Sequence, residues 1–129
     1  MTEVANQGTG KPIVAVVDDD PSVLKALARL LRSAGYEVKT FVSPQEFLSS
    51  ASISSARCVV VDVQMPGMSG FELQSRLKDM GRQVPIVFIT AHDTPQTRVS
   101  ACESGTVGLL LKPFSDDALL ELLHKAVSA

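Results

Sequence analysis

The chain has 129 residues, 45% of them apolar, and a formal net charge of −2. This is one domain's worth of chain with enough apolar side chain for a core. The charge balance disfavours direct nucleic acid binding by this segment, which needs clustered Lys and Arg. No apolar run approaches the length needed to span a bilayer. Met1 to Gly10 lacks the apolar core of a signal peptide, so a cytoplasmic location is the default expectation.

Residues 1–11 are polar and glycine-containing and are expected to form a loose tail ahead of one domain over residues 12–129. The stretch Gly8-Thr9-Gly10-Lys11-Pro12 is superficially like a phosphate-binding loop. It has no preceding strand, lacks the first glycine of that spacing, and carries Pro12 where Ser or Thr should hold magnesium. The two cysteines, Cys58 and Cys102, stand beside apolar or small residues within expected elements and read as reduced, buried thiols. Neither histidine is near them at metal-ligand spacing.

Ile13 to Val17 is a continuous, mostly β-branched run, expected to be a buried parallel strand. Pro21 and Ser22 open a helix with Leu24, Leu27, Ala28 and Leu31 on one face, closed by Gly35. Tyr36 to Val42 alternates as a strand. Ser43 and Pro44 then start a short helix to about Ser50. Cys58 to Val61 is a third strand. A helix follows from Ser69 or Gly70 to Met80, with Phe71, Leu73, Leu77 and Met80 as its apolar residues. Pro85 to Ile89 is a fourth strand and Pro95 to Ser104 a weaker, small-residue helix. Val107 to Leu111 is a fifth strand, and Ser115 caps a last helix whose inward stripe is Leu119, Leu122, Leu123 and Ala126. Five strands alternating with five helices imply an α/β, doubly wound parallel sheet covered on both faces. In such a sheet the site lies beyond the carboxyl ends of the strands.

The strand ends carry chemistry. The first runs into Asp18-Asp19-Asp20, the third into Asp62, the fourth into Thr90 and the fifth into Lys112-Pro113. Asp20, before Pro21, reads as a helix cap. Singly, Lys112 would be an ordinary surface lysine and Thr90 an ordinary strand residue. Placed together, the remaining carboxylates repel unless a hard cation sits among them. Magnesium suits them, since it takes oxygen ligands and keeps several waters. A lysine and a hydroxyl opposite the metal would complete the groups needed for in-line phosphoryl transfer.

These segments, with Val61-Asp62-Val63-Gln64-Met65-Pro66-Gly67-Met68-Ser69-Gly70, Phe88-Ile89-Thr90-Ala91 and Leu111-Lys112-Pro113-Phe114, resemble the receiver domain of bacterial two-component response regulators, over about Ile13 to Val127. The details are most similar to receivers of LuxR-type regulators. The resemblance implies a flavodoxin-like (βα)5 strand order 2-1-3-4-5. It implies that Asp62 accepts the phosphoryl group from a sensor histidine kinase. Mg2+ (or Mn2+) would be held by Asp19, Asp62 and the Gln64 backbone carbonyl, with Asp18 acting through a water or from behind the direct ligands. Lys112 would contact the phosphoryl group, Thr90 would move toward it, and the Lys112–Pro113 bond would be cis. Ala91 would be small to leave room there, and Gln64 and His92 would tune the phosphoryl lifetime. The domain would catalyse only its own phosphorylation and dephosphorylation, so it would not be an enzyme in the usual sense.

The sequence departs from the family at Leu109, where an aromatic residue usually serves as the switch partner of Thr90. Thr106 replaces a common alanine and Gly108 a frequent acidic residue. Phosphorylation would alter the face built by the fourth helix, fifth strand and fifth helix, a surface for dimerisation or for an output domain or target protein. Leu120 lies off the inward stripe and is a further candidate for that surface. Three other readings bear on the same residues. A flavin carrier would share the fold, but three aspartates would repel the flavin phosphate. An aspartyl phosphatase would want a second carboxylate where Gln64 stands. A phosphorylation-independent pseudo-receiver, acting as a protein-interaction module, would explain Leu109.

Overall fold

Strong local signals bound most of the elements. The computed structural model describes residues 10–128. The expected tail therefore lies outside the described residues except for its last two, as does Ala129. Five strands, β1 (Ile13–Val17), β2 (Glu37–Phe41), β3 (Cys58–Asp62), β4 (Ile86–Thr90) and β5 (Gly108–Leu111), pair in parallel in the order β2-β1-β3-β4-β5. The helices among the described residues are α1 (Pro21–Ser33), α2 (Pro44–Leu48), α3 (Ser52–Ser55), α4 (Gly70–Asp79), α5 (Pro95–Ser104) and α6 (Asp116–Ser128).

The short α3 adds one helix to the five expected. Its sequence, Ser-Ile-Ser-Ser, has no apolar period to announce it, and one turn is held by Ala56 N–H donating to the Ser52 carbonyl at 2.9 Å. The surface expected on the fourth helix, fifth strand and fifth helix is accordingly α5, β5 and α6.

The continuous apolar runs are buried on both faces, as a central parallel strand requires. Val14 and Val16 of β1 join a cluster with Leu24, Leu27, Ala28 and Leu31 of α1 and Leu119, Leu123 and Ala126 of α6. Ala15 and Val17 point the other way, to Phe47 of α2, Leu73 and Leu77 of α4, and Phe88 of β4. Full burial of each large apolar side chain contributes about 1.5–3 kcal/mol, so the α1 stripe alone explains why that helix docks. Leu120 is half-buried and packs against the first cluster, so it is not a free surface leucine. Met80, expected among the apolar residues of α4, ends that helix and is 55% exposed. The cysteines are both free. Cys58 is buried, and burial pushes its thiol up to about 12. Cys102, expected to be buried, is exposed, because Ala101 is the residue of α5 that turns inward.

Caps fix where the helices begin. Asp20 Oδ1 accepts from Ser22 N–H at 2.9 Å at the start of α1. Ser43 caps α2 through Glu46 N–H, and Ser115 accepts from Ala118 N–H at 3.1 Å at the start of α6. The start of α4 is a reciprocal pair. Ser69 Oγ accepts from Glu72 N–H at 3.1 Å, and Glu72 Oε1 accepts from Ser69 N–H at 2.9 Å. Ser69→Ala is expected to lower stability by about 1 kcal/mol, read as a shifted urea midpoint at unchanged slope.

Two departures from the family pattern have structural explanations. Thr106 Oγ1 donates to the Ile86 carbonyl at 2.6 Å and accepts from Gly108 N–H at 3.2 Å, tying the start of β5 to β4. At Gly108 a Cβ would lie 2.7 Å from Leu122 Cδ1, so glycine is what allows Leu122 to lie against β5.

Candidate functional site

Parallel strands deliver their carboxyl ends to one edge, and backbone bonds beyond the strands extend the ladder to the residues that matter. Asp18 N–H donates to the Phe41 carbonyl at 3.1 Å, Val63 N–H to Ile89 at 2.8 Å and Lys112 N–H to Thr90 at 2.7 Å. Asp18, Asp62, Thr90 and Lys112 are thus held by sheet-like bonds rather than by free loops.

Asp18, Asp19 and Asp62 each present a carboxylate oxygen, and these oxygens lie within 4.8 Å of one another. Asp18 is fully buried, Asp62 nearly so, and Asp19 exposed. Asp20 faces away as the α1 cap, as expected. Lys112 Nζ sits 3.2 Å from both Asp18 Oδ2 and Asp62 Oδ2, bridging the two buried carboxylates. Their remaining oxygens accept backbone N–H groups: Asp18 Oδ1 from Asp20 at 2.9 Å and Asp62 Oδ1 from Gln64 at 3.0 Å.

The electrostatics follow from this crowding. Burial raises the Asp18 carboxyl above its usual range. The Asp62 charge pushes the same way, and the Asp20 N–H and Lys112 pull against it. For Lys112, burial alone would lower the pKa, but Asp18 and Asp62 together outweigh it and the net shift is upward. Three carboxylates share one ammonium, so the site keeps unmatched negative charge. Opposite ligands of magnesium stand about 4.2 Å apart, from Mg–O distances of 2.0–2.1 Å. The three oxygens are near enough to share one such cation, directly or through a water.

Thr90 ends β4 and is buried, and its hydroxyl is engaged by the backbone of its own loop. It accepts from His92 N–H at 3.0 Å and lies 3.2 Å from the His92 carbonyl. Ala91 and His92 are exposed at the mouth of the β4–α5 loop, as is Gln64 after β3. Leu109 is half-buried on the α4 side of β5, against the cluster that contains Phe71 and Phe88. The rings of that pair stand 4.6 Å apart. The Lys112–Pro113 bond is cis, as expected.

Sequence reasoning missed two supports. Gly70 lies under the strand end, where a Cβ would come 2.7 Å from the Asp62 carbonyl oxygen. The sequence marked it as a helix start and as the end of the segment from Val61, but not as this close contact. Arg98 grips Asp93 with two nitrogens, the second at 2.7 Å, and this hydrogen bonding holds the Asp93 carboxyl below its usual range. A spacing of five residues across a helix start announces no such pair.

A family model for the response regulator receiver domain matches residues 14–124. The chain belongs to this family. Among curated proteins it is 39% identical over 115 residues to the response regulator protein TodT of Pseudomonas putida, covering 89% of this chain and 51% of TodT. It is 40% identical over 119 residues to the transcriptional regulatory protein FixJ of Bradyrhizobium diazoefficiens, covering 92% of this chain and 58% of FixJ. Among solved structures, the response regulator StyR superposes with a TM-score of 0.84 at 48% identity, over 92% of this chain and 60% of StyR. The chain thus spans about half the length of the curated relatives it matches. Among the described residues of this receiver domain, no helix is long and apolar enough to cross a membrane.

Proposed function

We propose that this receiver domain takes a phosphoryl group from the phosphohistidine of a sensor histidine kinase onto Asp62, and that the acyl phosphate shifts the α5–β5–α6 face between two states. The observation that carries the reading is the Lys112 ammonium shared between Asp18 and Asp62 beside the exposed Asp19. In the transfer a carboxylate oxygen of Asp62 bonds to phosphorus, the phosphorus–imidazole bond breaks, and its electrons return to the histidine ring.

Mg2+ or Mn2+ would be held by Asp19, Asp62 and the Gln64 carbonyl, with Asp18 acting through a water. When bound, it supplies positive charge to the phosphoryl oxygens. Lys112 neutralises further phosphoryl charge from the sheet side, already fixed in place by two carboxylates. Thr90 gives up its exchange with the His92 backbone and turns its hydroxyl toward the new oxygens, drawing residues 91–95 with it. Ala91 leaves room for this movement, and Gln64 and His92 stand at the mouth where water reaches the acyl phosphate.

With Leu109 in place of a ring, the inward movement has no aromatic partner to rotate. The signal passes instead through the β4–α5 loop to α5. The exposed Val99 and Leu111 belong to the face that would meet an output domain, a target or a second copy. The reading places the chain in the cytoplasm, where a kinase can be charged from ATP.

Beryllofluoride with Mg2+ mimics the acyl phosphate and gives the test. Amide shifts are expected at Thr90 to Thr94 and along β5 in the wild type. Asp19→Asn is expected to weaken Mg2+ binding by at least tenfold, on the scale seen when a metal site loses a supporting group, and to abolish the response at matched Mg2+. An unchanged spectrum in the wild type would sink the reading.

A further inference from the structure

At the opposite edge of the sheet from Asp62, a groove of about 440 Å3 opens between the end of α4, the start of β4 and the turn from α5 to β5. Its volume falls in the range of small-molecule sites, about 300–1,000 Å3. Val84 and Pro85, half-buried, give it an apolar floor over the buried Leu77 and Ile86, and Lys78 and Arg82 stand at its walls. Among the described residues no carboxylate lines it; Asp79 and Glu103, the sequence neighbours, are not among its lining residues. In a chain of net charge −2 that is a local excess of positive charge.

The cations are only lightly engaged. Lys78 Nζ reaches the Ser104 carbonyl at 3.5 Å, and Arg82 uses Nε on the Ile53 carbonyl at 2.7 Å, leaving its two terminal nitrogens without a hydrogen bond among the described residues. Gln74, also in the lining, is 9% exposed and donates to the Ser104 carbonyl at 3.2 Å, while its own carbonyl oxygen has no donor among the described residues.

We infer that this groove binds a small carboxylic acid with an apolar body. The carboxylate would meet Lys78 and Arg82, and the hydrocarbon would cover Val84 and Pro85. An apolar floor without charge would favour a neutral hydrophobe, and charge without the floor would favour a simple anion. The two together select a molecule that has both. Binding requires nothing of Asp62 and stands or falls separately from phosphorylation.

The test is an NMR titration of the isotope-labelled full chain with sodium hexanoate, alongside hexan-1-ol and inorganic phosphate. Hexanoate is expected to give saturable shifts with a dissociation constant of about millimolar, centred on Gly81, Ser104, Gly105 and the Gln74 side-chain amide. Hexan-1-ol and phosphate are each expected to bind at least fivefold more weakly. Lys78→Gln is expected to cost hexanoate at least fivefold, and Lys78→Arg to retain it. Shifts that do not saturate or that centre elsewhere would overturn the inference, as would equal binding of hexan-1-ol or an unaffected Lys78→Gln.

Discussion

Lys112→Ala is expected to slow phosphorylation of Asp62 by about 100-fold, the scale on which removing one fixed donor to developing charge acts. The ammonium is within 3.2 Å of both Asp18 and Asp62, so it needs no reorganisation when the phosphoryl group arrives. Its loss has a second consequence. Asp18 is fully buried and already pushed upward by burial, and it would face Asp62 with no cation between them. Breaking a fully buried pair costs about 3–5 kcal/mol, and the partial exposure of Lys112 reduces this to about 1–3 kcal/mol. Added Mg2+ is expected to restore most of the stability, because it would replace the missing charge, but not the rate, because on the proposed reading it would be held by Asp19 and Asp62 and not where the ammonium stood. Urea unfolding with and without Mg2+, beside acetyl phosphate kinetics, separates the two effects. A variant that lost neither rate nor stability would show that Lys112 is an ordinary surface lysine.

Gly70→Ala is the second large effect. A Cβ at this position would stand 2.7 Å from the Asp62 carbonyl oxygen and 3.2 Å from Val63 Cα, both backbone atoms that cannot swing aside. Gly70 N–H also donates to the Val63 carbonyl at 2.9 Å, so helix and strand end are already in contact. Overpacking of this kind costs about 1–3 kcal/mol. The strain can be relieved only by moving α4 away from β3 or by displacing the β3 end, and the second route carries the Asp62 side chain with it. Phosphorylation is therefore expected to slow by tenfold or more, since small misplacements of a reacting group cost heavily. Thermal unfolding gives the stability cost, and the initial rate with acetyl phosphate gives the positional one. Exposed Gly81, with open space around its Cα, is the control for glycine loss without a clash, although its positive φ of 78° adds local strain.

The fold was legible because its signals are strong and local. Continuous apolar, mostly β-branched runs at Ile13–Val17 and Cys58–Val61, each followed by an aspartate, read as central strands. The α1 stripe buries the four residues its period marks. Elements without such signals were lost or blurred. The one-turn α3 carries no period, and Cys102 looks internal in sequence but turns outward on a helix that buries little besides Ala101.

The gathering of Asp18, Asp19, Asp62 and Lys112 was legible because parallel strands put their carboxyl ends on one edge whatever their separation in sequence. Its couplings were not. No spacing rule says that Lys112 divides itself between Asp18 and Asp62, that Thr90 is bonded to its own loop, or that Gly70 leaves just the room Asp62's backbone needs. These depend on how loops close in three dimensions.

Asp62 as the phosphoacceptor is the central claim, and an intact-mass spectrum tests it most directly. The chain would be incubated with acetyl phosphate, with Mg2+ or with EDTA, as wild type and as Asp62→Ala. One phosphoryl adduct is expected on the wild type with Mg2+, and none with EDTA or on the variant. No adduct on the wild type, under conditions that label another receiver domain, would contradict the assignment and favour a domain that acts through its surfaces alone.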